Sequence, residues 1–309
     1  MIPVNSVLQV GQFPEVMQAV IDQRIQPVHL LDPNASIPTG SYQSILIRSN
    51  TKLPIELIDR LPQLAMVATC GVGYDNLPME HLKQKGIKAT NTPGVLNDAV
   101  CELAIGMMLG LLRRIPEAHE FVKSAAWSKG LFTVTTTLAG KCVGIAGMGR
   151  IGQDLAKRLE PFKVKIAYTG PSQKALPYDY YPNIQALALA CDILFLACPA
   201  SPETEKMVNA DVLDALGPKG YLINIARGSV VDEGALLVAL QQKKIAGAAL
   251  DVFETEPNPN SGFLNIDNVL LTPHIGSATS ETRQLMTNLA IDNLEAFYNQ
   301  EPLLTEVKN

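Results

Sequence analysis

The sequence predicts an α/β fold built from two parallel-sheet domains, and three observations predict it. Apolar runs of strand length alternate with helix-length segments almost throughout the 309 residues. That rhythm belongs to parallel strands joined by crossover helices. Charged residues make up only 18% of the chain, below the roughly 25% of average globular proteins, as expected when strands are covered on both faces. The length exceeds one ordinary domain and suffices for two.

Each element follows from its own stretch. In the first third, "SVLQV", "PVHLLD", "SILIRS", "AMVATC" and "IKATN" are short apolar runs bounded by turn residues, and are read as strands. A longer segment from Asp98 to Arg114 is helical in length and apolar nearly all round, so it is expected to be buried between large bodies. A second strand series follows: "KCVGIAG", "VKIAYTG", "DILFLACP", "GYLINIAR", "GAALDVF" and "NVLLTPH". The last helix runs from about Ser280 to Asn299, with apolar positions at Leu285, Leu289, Ile291, Leu294 and Phe297. No repeat of 20–50 residues and no low-complexity linker interrupts the pattern. Two βα series with a long helix near their boundary imply two domains.

The bulk properties exclude several classes. A net charge of -5 gives no nucleic-acid footprint. The start "MIPVNSVLQVGQF" lacks the basic and apolar regions of a signal peptide. The longest apolar stretch, "VCELAIGMMLGLL", contains Glu102 and is too short to span a bilayer. No membrane association is expected, and a cytoplasmic location is. The five cysteines, at positions 70, 101, 142, 191 and 198, are scattered and odd in number, the pattern of reduced and mostly buried thiols. No CxxC or His/Cys cluster suggests a metal.

The strongest local signal is "CVGIAGMGRIGQDLAKRL". Cys142 to Ala146 forms a buried strand. Gly147, Gly149 and Gly152 follow as G-x-G-x-x-G, and Ile151, Leu155, Ala156 and Leu159 mark one helix face. The first glycine allows a tight turn, the second lets a pyrophosphate approach the backbone, and the third lets helix and strand pack closely. The helix N-terminus then offers N–H groups to phosphate. The strand–turn–helix setting makes this a dinucleotide site and not merely a glycine-rich turn. An NAD-binding version places an acid about 20 residues on, at the end of the second strand. Here "VKIAY" is followed by "TGPSQK", and no carboxylate comes before Asp179. Thr169 and Ser172 can hydrogen-bond a 2′-phosphate, and Lys174 and Arg150 can supply positive charge. NADP(H) is therefore favoured over NAD(H).

Three strand ends carry polar residues with a common use. "GYLINIARG" ends in Arg227-Gly228, "GAALDVFETEP" passes Asp251 to Glu254 and Glu256, and "NVLLTPHIG" ends at His274. Ligands of open α/β sheets bind outside the carboxyl ends of the strands, so these residues are expected to converge where a nicotinamide would lie. A protonated histidine can give a proton to a carbonyl oxygen as hydride reaches the carbon. A neighbouring glutamate favours the imidazolium and orients it. A planar guanidinium can bind a carboxylate and polarise the adjacent carbonyl. The other histidines fit worse: His29 lies in a strand, and His81 and His119 lie in polar helices.

Together, "CGVGYDN", "NTPGVLNDAVCELAIGMMLGLLRR", "GMGRIG", "INIARGSVVDEGAL", "ALDVFETEP" and "LTPHIGSAT" resemble the D-isomer-specific 2-hydroxyacid dehydrogenase family in order and spacing, over essentially the whole chain. Within it the chain looks most like the NADPH-dependent glyoxylate/hydroxypyruvate reductases and the hydroxyphenylpyruvate reductases. The resemblance implies that Arg227 binds the substrate carboxylate and carbonyl. It makes His274 the general acid/base and Glu256, not Glu254, its partner. The backbone N–H groups of Val72 and Gly73 would hold the substrate carboxylate, with Arg48 in one wall of the pocket. Arg150 and Ile151 would lie along the pyrophosphate. Pro199, Ile225, Ala226, Arg227, His274 and Gly276 would line the cofactor, with Asp251 near its carboxamide. NADPH-using relatives commonly carry serine-arginine after the second-strand tyrosine, whereas this chain has Thr169-Gly170-Pro171.

The resemblance also implies a Rossmann nucleotide domain (98–281) inserted into a flavodoxin-like substrate domain (1–97, completed by 282–309). The cleft between them would close over substrate, and a homodimer would form through the nucleotide domain, with the helix from Asp98 and the segment around Trp127. The expected activity is reduction of a small 2-oxo acid such as glyoxylate or hydroxypyruvate. An arylpyruvate reductase is the alternative, and a dinucleotide-sensing, corepressor-like binding protein is the alternative from a different class.

Overall fold

The computed structural model describes residues 2–307. The chain divides into two compact units, one of residues 1–96 with 277–309 and one of residues 97–276. The second unit is thus an insertion in the first.

The first unit has a five-stranded sheet: β1 (Val7–Val10), β2 (Val28–Leu30), β3 (Ser44–Arg48), β4 (Met66–Cys70) and β5 (Lys88–Thr90). Its strand order is β2-β1-β3-β4-β5 and every pairing is parallel, the flavodoxin-like order. Side chains alternate between the faces with the two-residue period of a strand. Leu8, Ile45, Ile47 and Val67 enter one apolar cluster, while Val7, Leu46, Met66 and Ala68 enter another. That second face is covered by helix Glu15–Arg24 through Met17 and Ile21, and by the returning helix Ser280–Tyr298 through Ala290, Ile291 and Leu294. Arg24 ties these helices together through Asp292 at 2.8 Å and Glu295 at 2.9 Å. Leu285, expected on the apolar side of the last helix, faces solvent; Met286 beside it is buried.

The second unit has seven strands: β6 (Cys142–Ala146), β7 (Lys165–Thr169), β8 (Asp179–Tyr180), β9 (Ile193–Leu196), β10 (Tyr221–Asn224), β11 (Gly247–Leu250) and β12 (Val269–Leu271). They are arranged β12-β11-β10-β9-β6-β7-β8, all parallel. The chain starts in the middle at β6, winds out to β8 and returns to β9 on the other side. The β6/β9 boundary is the switch point where such sheets bind ligands. Leu194 and Leu196 point to one core, Ile193 and Phe195 to the other, so burial on both faces explains the continuous apolar runs. The two-residue strand β8 lies in the polar stretch "PYDYYP" and carries no apolar run to announce it.

The long helix, Asn97–Arg113, corrects one expectation. It is not buried all round. Cys101, Ala104, Met107, Met108 and Leu111 pack into the core on one face of the second sheet. Glu102, Gly106 and Arg113 are exposed, and Leu103, Ile105 and Leu109 are half-buried. All five cysteines are free thiols, and burial pushes the Cys70, Cys101 and Cys191 thiols up to about 12, which keeps them unreactive. Among the described residues, no helix is long and apolar enough to cross a membrane.

Candidate active site

The glycine loop follows β6 directly. Gly147 has φ +100°, and a Cβ there would lie 2.6 Å from the Cys198 nitrogen. Only glycine fits both the conformation and the space. A Cβ on Gly152 would lie 2.1 Å from the Gly147 carbonyl oxygen, so the helix Arg150–Leu159 presses directly on the turn. Beside Gly149, by contrast, nothing lies within 4 Å of the Cβ position. The loop backbone is open there. Gly149 caps the helix without a side-chain bond, so the first-turn N–H groups are available to an anion. Arg150 is exposed at this end and Ile151 is half-buried. The shape and donor set fit a dinucleotide pyrophosphate.

At the end of β7, Thr169 is buried, and its carbonyl accepts from the Gly147 N–H at 3.0 Å. Ser172 is exposed. Lys174 turns back over the glycine loop: its ammonium donates to the Met148 carbonyl at 2.7 Å, and its backbone N–H donates to the Tyr168 hydroxyl at 2.7 Å. The loop that would meet a 2′-substituent therefore carries a cation and no acid. Pro199 is in the loop after β9, with its carbonyl accepting from Thr204 Oγ1 at 2.8 Å.

The three strand ends beyond β10, β11 and β12 are tied together by their own hydrogen bonds. Asn224, fully buried at the end of β10, donates to the Arg227 carbonyl at 2.9 Å and accepts from the Ala226 N–H at 3.0 Å. This turns the chain so that Ile225 and Ala226 precede Arg227 at the strand end. The Arg227 guanidinium donates to the Ala226 carbonyl at 2.8 Å. Asp251, just past β11, is 2% exposed. Its carboxylate accepts from the Thr272 hydroxyl at 2.7 Å, the Ile275 N–H at 2.8 Å and the Gly276 N–H at 2.9 Å. Burial pushes this carboxyl above its ordinary range against those bonds and the nearby His274. These bonds brace a tight turn in which His274 holds φ +53°.

At the centre of this arrangement, His274 Nδ1 donates to Glu256 Oε2 at 2.7 Å. The other oxygen of Glu256 accepts from the Phe253 N–H at 3.2 Å. Burial raises the Glu256 carboxyl, and no single neighbour outweighs it; the bond to His274, the imidazole charge, the Phe253 N–H and the Arg227 charge do so together. The carboxyl is held below its ordinary range. An ionised carboxylate only accepts, so Nδ1 carries a proton and Nε2 is the ring atom left to exchange one. Glu254 does not join this pair; it faces Lys206 at 3.7 Å.

The sequence singled out Arg227, Glu256, His274 and Asp251. It missed Asn224, which braces the turn just after its own strand, and Thr272, which shows up only through its bond to Asp251 across two strand ends. In the first unit, Arg48 ends β3 and donates to the Gln12 carbonyl at 3.3 Å. Val72 and Gly73 follow β4, where the Val72 carbonyl accepts from Asn91 at 2.8 Å and the Gly71 N–H donates to Thr92 Oγ1 at 2.9 Å.

Residues 105–276 match the family model of the D-isomer specific 2-hydroxyacid dehydrogenase, NAD binding domain. The chain belongs to this family. A hydroxyphenylpyruvate reductase of Plectranthus scutellarioides is 47% identical over 88% of this chain and 87% of its own length. A glyoxylate/hydroxypyruvate reductase of Arabidopsis thaliana is 45% identical over 87% and 86%. The NADPH-dependent glyoxylate/hydroxypyruvate reductase of Sinorhizobium meliloti, solved with NADP and malonate, superposes with a TM-score of 0.93 at 40% identity, covering 98% of this chain and 97% of that one. This dehydrogenase is accordingly an NAD(P)-dependent oxidoreductase that reduces a 2-oxo acid.

Proposed function

We propose that this dehydrogenase is an NADPH-dependent reductase of small 2-oxo acids, glyoxylate and hydroxypyruvate first, working in the cytoplasm. The observation that carries the reading is the 2.7 Å bond between His274 and Glu256, placed at the strand ends of a unit that also holds the glycine loop. When bound, the nicotinamide supplies the hydride. Arg227 holds the substrate carboxylate and polarises the keto group. On the family resemblance, the Val72 and Gly73 N–H groups and Arg48 of the first unit are also assigned to substrate binding. His274 gives its Nε2 proton to the carbonyl oxygen, and Glu256 stabilises the imidazolium that does so. Ile225, Ala226, Pro199 and Gly276 line the nicotinamide half, and Asp251 acts here by shaping the His274 turn. Arg150, Ser172, Thr169 and Lys174 serve the phosphate half, where the lack of an acid after β7 favours NADPH. The relatives that use glyoxylate and hydroxypyruvate support the substrate choice. The Plectranthus relative supports the second reading, an arylpyruvate reductase.

Steady-state rates with glyoxylate, hydroxypyruvate and 4-hydroxyphenylpyruvate, each against NADPH and NADH, separate these readings. The expected order puts the two small acids and NADPH first. Higher kcat/KM for the aryl acid, or for NADH, rejects the corresponding half of the proposal. The pH dependence tests the pair. Reduction needs the protonated imidazole, so it fades as pH rises. The Glu256 carboxyl is held below its ordinary range, so it stays ionised beside the ring, and an adjacent negative charge favours a protonated imidazole over a neutral one. In Glu256→Gln the fading moves to lower pH, by about one unit; an unchanged profile dissolves the pairing.

A second copy of this chain is the proposed partner, bound through the nucleotide unit. Ile115, Val122, Trp127, Leu131 and Val134 are all exposed within 20 residues of sequence, an excess of exposed apolar side chains that supports an interface. Light scattering should report two chains per particle; one chain per particle at micromolar concentration removes the dimer.

A further inference from the structure

Glu233 is an ionisable residue that the proposed reaction does not use, and it is only 6% exposed. It opens the helix Glu233–Gln241, whose N-cap is already supplied by Asp232 accepting from the Ala235 N–H at 3.0 Å. Glu233 therefore is not needed as the cap. Its carboxylate reaches instead across 21 residues of sequence to accept from the Glu254 N–H at 2.7 Å. Burying a carboxylate costs several kcal/mol unless its bonds compensate, and an apolar side chain would fill the same volume without that cost.

The peptide it grips is shared. A Cβ on Gly228, next to Arg227, would lie 1.9 Å from the Phe253 carbonyl carbon and 2.2 Å from the Glu254 nitrogen. The turn carrying Arg227 thus rests directly on the Phe253–Glu254 peptide. The Phe253 N–H, on the other side of the same residue, donates to Glu256. The chain of contacts runs from Glu233 to Glu254, along the loop to Glu256, and on to His274.

We infer that Glu233 is a positioning residue: its buried carboxylate fixes the Phe253–Glu256 loop so that Glu256 meets His274 Nδ1. The inference rests on the proposed roles of Glu256 and His274. Burial raises the Glu233 carboxyl against the lowering effect of the Glu254 N–H, with the Glu254 charge raising it further. Around His274 the charged groups are Glu256, bonded to it, and Asp251, whose carboxylate it influences. Arg227 acts on Glu256, and Glu254 is engaged with Lys206. Glu233 touches this set at the Glu254 N–H, and Glu256 is the member of the loop that carries the contact on to the imidazole.

The test compares kcat against pH in the full-length enzyme with NADPH and glyoxylate, for the parent and four variants. Glu233→Met removes the acceptor at similar volume. It should lower kcat about tenfold, as a misplaced catalytic group does, and move the pH at which reduction fades downward by about half a unit, with KM for NADPH unchanged. Glu233→Asp keeps the charge, withdraws the carboxylate by one methylene, and should shift the profile the same way, which secures the result if the methionine variant fails to fold. Glu233→Gln keeps an acceptor oxygen and should restore both kcat and profile. Glu256→Gln is the reference. If it shifts the profile while Glu233→Met and Glu233→Asp lose only thermal stability, Glu233 is structural and the inference is overturned. If Glu256→Gln leaves the profile unmoved, the pairing itself is wrong and the inference falls with it.

Discussion

Replacing His274 by alanine lowers kcat by about 10²–10⁴, the range for loss of a general acid, or about 3–5 kcal/mol of activation free energy. The imidazole is held by its Nδ1 bond to Glu256 at 2.7 Å and by the braced turn around it, which leaves Nε2 as the ring atom that can exchange a proton. Alanine also meets a backbone cost here, because φ is +53° and non-glycine residues rarely adopt that region. His274→Asn separates the two effects. Asparagine tolerates the left-handed conformation but cannot donate as an acid. Both variants should lose the same rate, and the residual rate should lose the pH dependence of the parent. A rate within a few-fold of the parent in either variant removes His274 from proton transfer.

The second large effect is expected at Arg227. Arg227→Ala should lower kcat/KM for the 2-oxo acid by about 10²–10³, as removal of one preorganised donor to a developing oxyanion does. Both kcat and KM should change if, as proposed, the guanidinium binds the carboxylate in the ground state and the carbonyl oxygen more strongly as charge develops. Arg227→Lys keeps the charge but loses the planar fork, so it should recover only part of the loss. The Asn224 side chain sets the turn from beneath, through the Arg227 backbone carbonyl, so alanine leaves the backbone in place. Unchanged KM for NADPH is the control. A defect confined to cofactor binding would reassign Arg227 to the nucleotide.

Much of this was legible in the residues. The strands could be read because burial on both faces makes each a continuous apolar run, as in "DILFLACP". The strand β8 could not, since Asp179 and Tyr180 pair at a sheet edge where nothing apolar is required. The long helix misled in one respect. Leu103, Ile105 and Leu109 make it apolar all round, yet only one side meets the core of its own unit. Composition states how apolar a helix is, not which side is covered.

The sequence by itself determined the glycine loop and the order of the two βα series, and it singled out Arg227, Glu256 and His274 as candidates. These are local facts. A glycine is required where φ is +100° or a Cβ would strike backbone, and a polar residue ending an apolar run is visible wherever it occurs. Tertiary structure decided which carboxylate does what. Asp251, Glu254 and Glu256 follow one another in the sequence, and Glu254 faces Lys206. Asp251 serves N–H groups 24 and 25 residues away, Glu233 serves one 21 residues away, and only Glu256 meets the imidazole. The register of three parallel strands sets which of these distant groups come within hydrogen-bond reach, and no local pattern encodes that register.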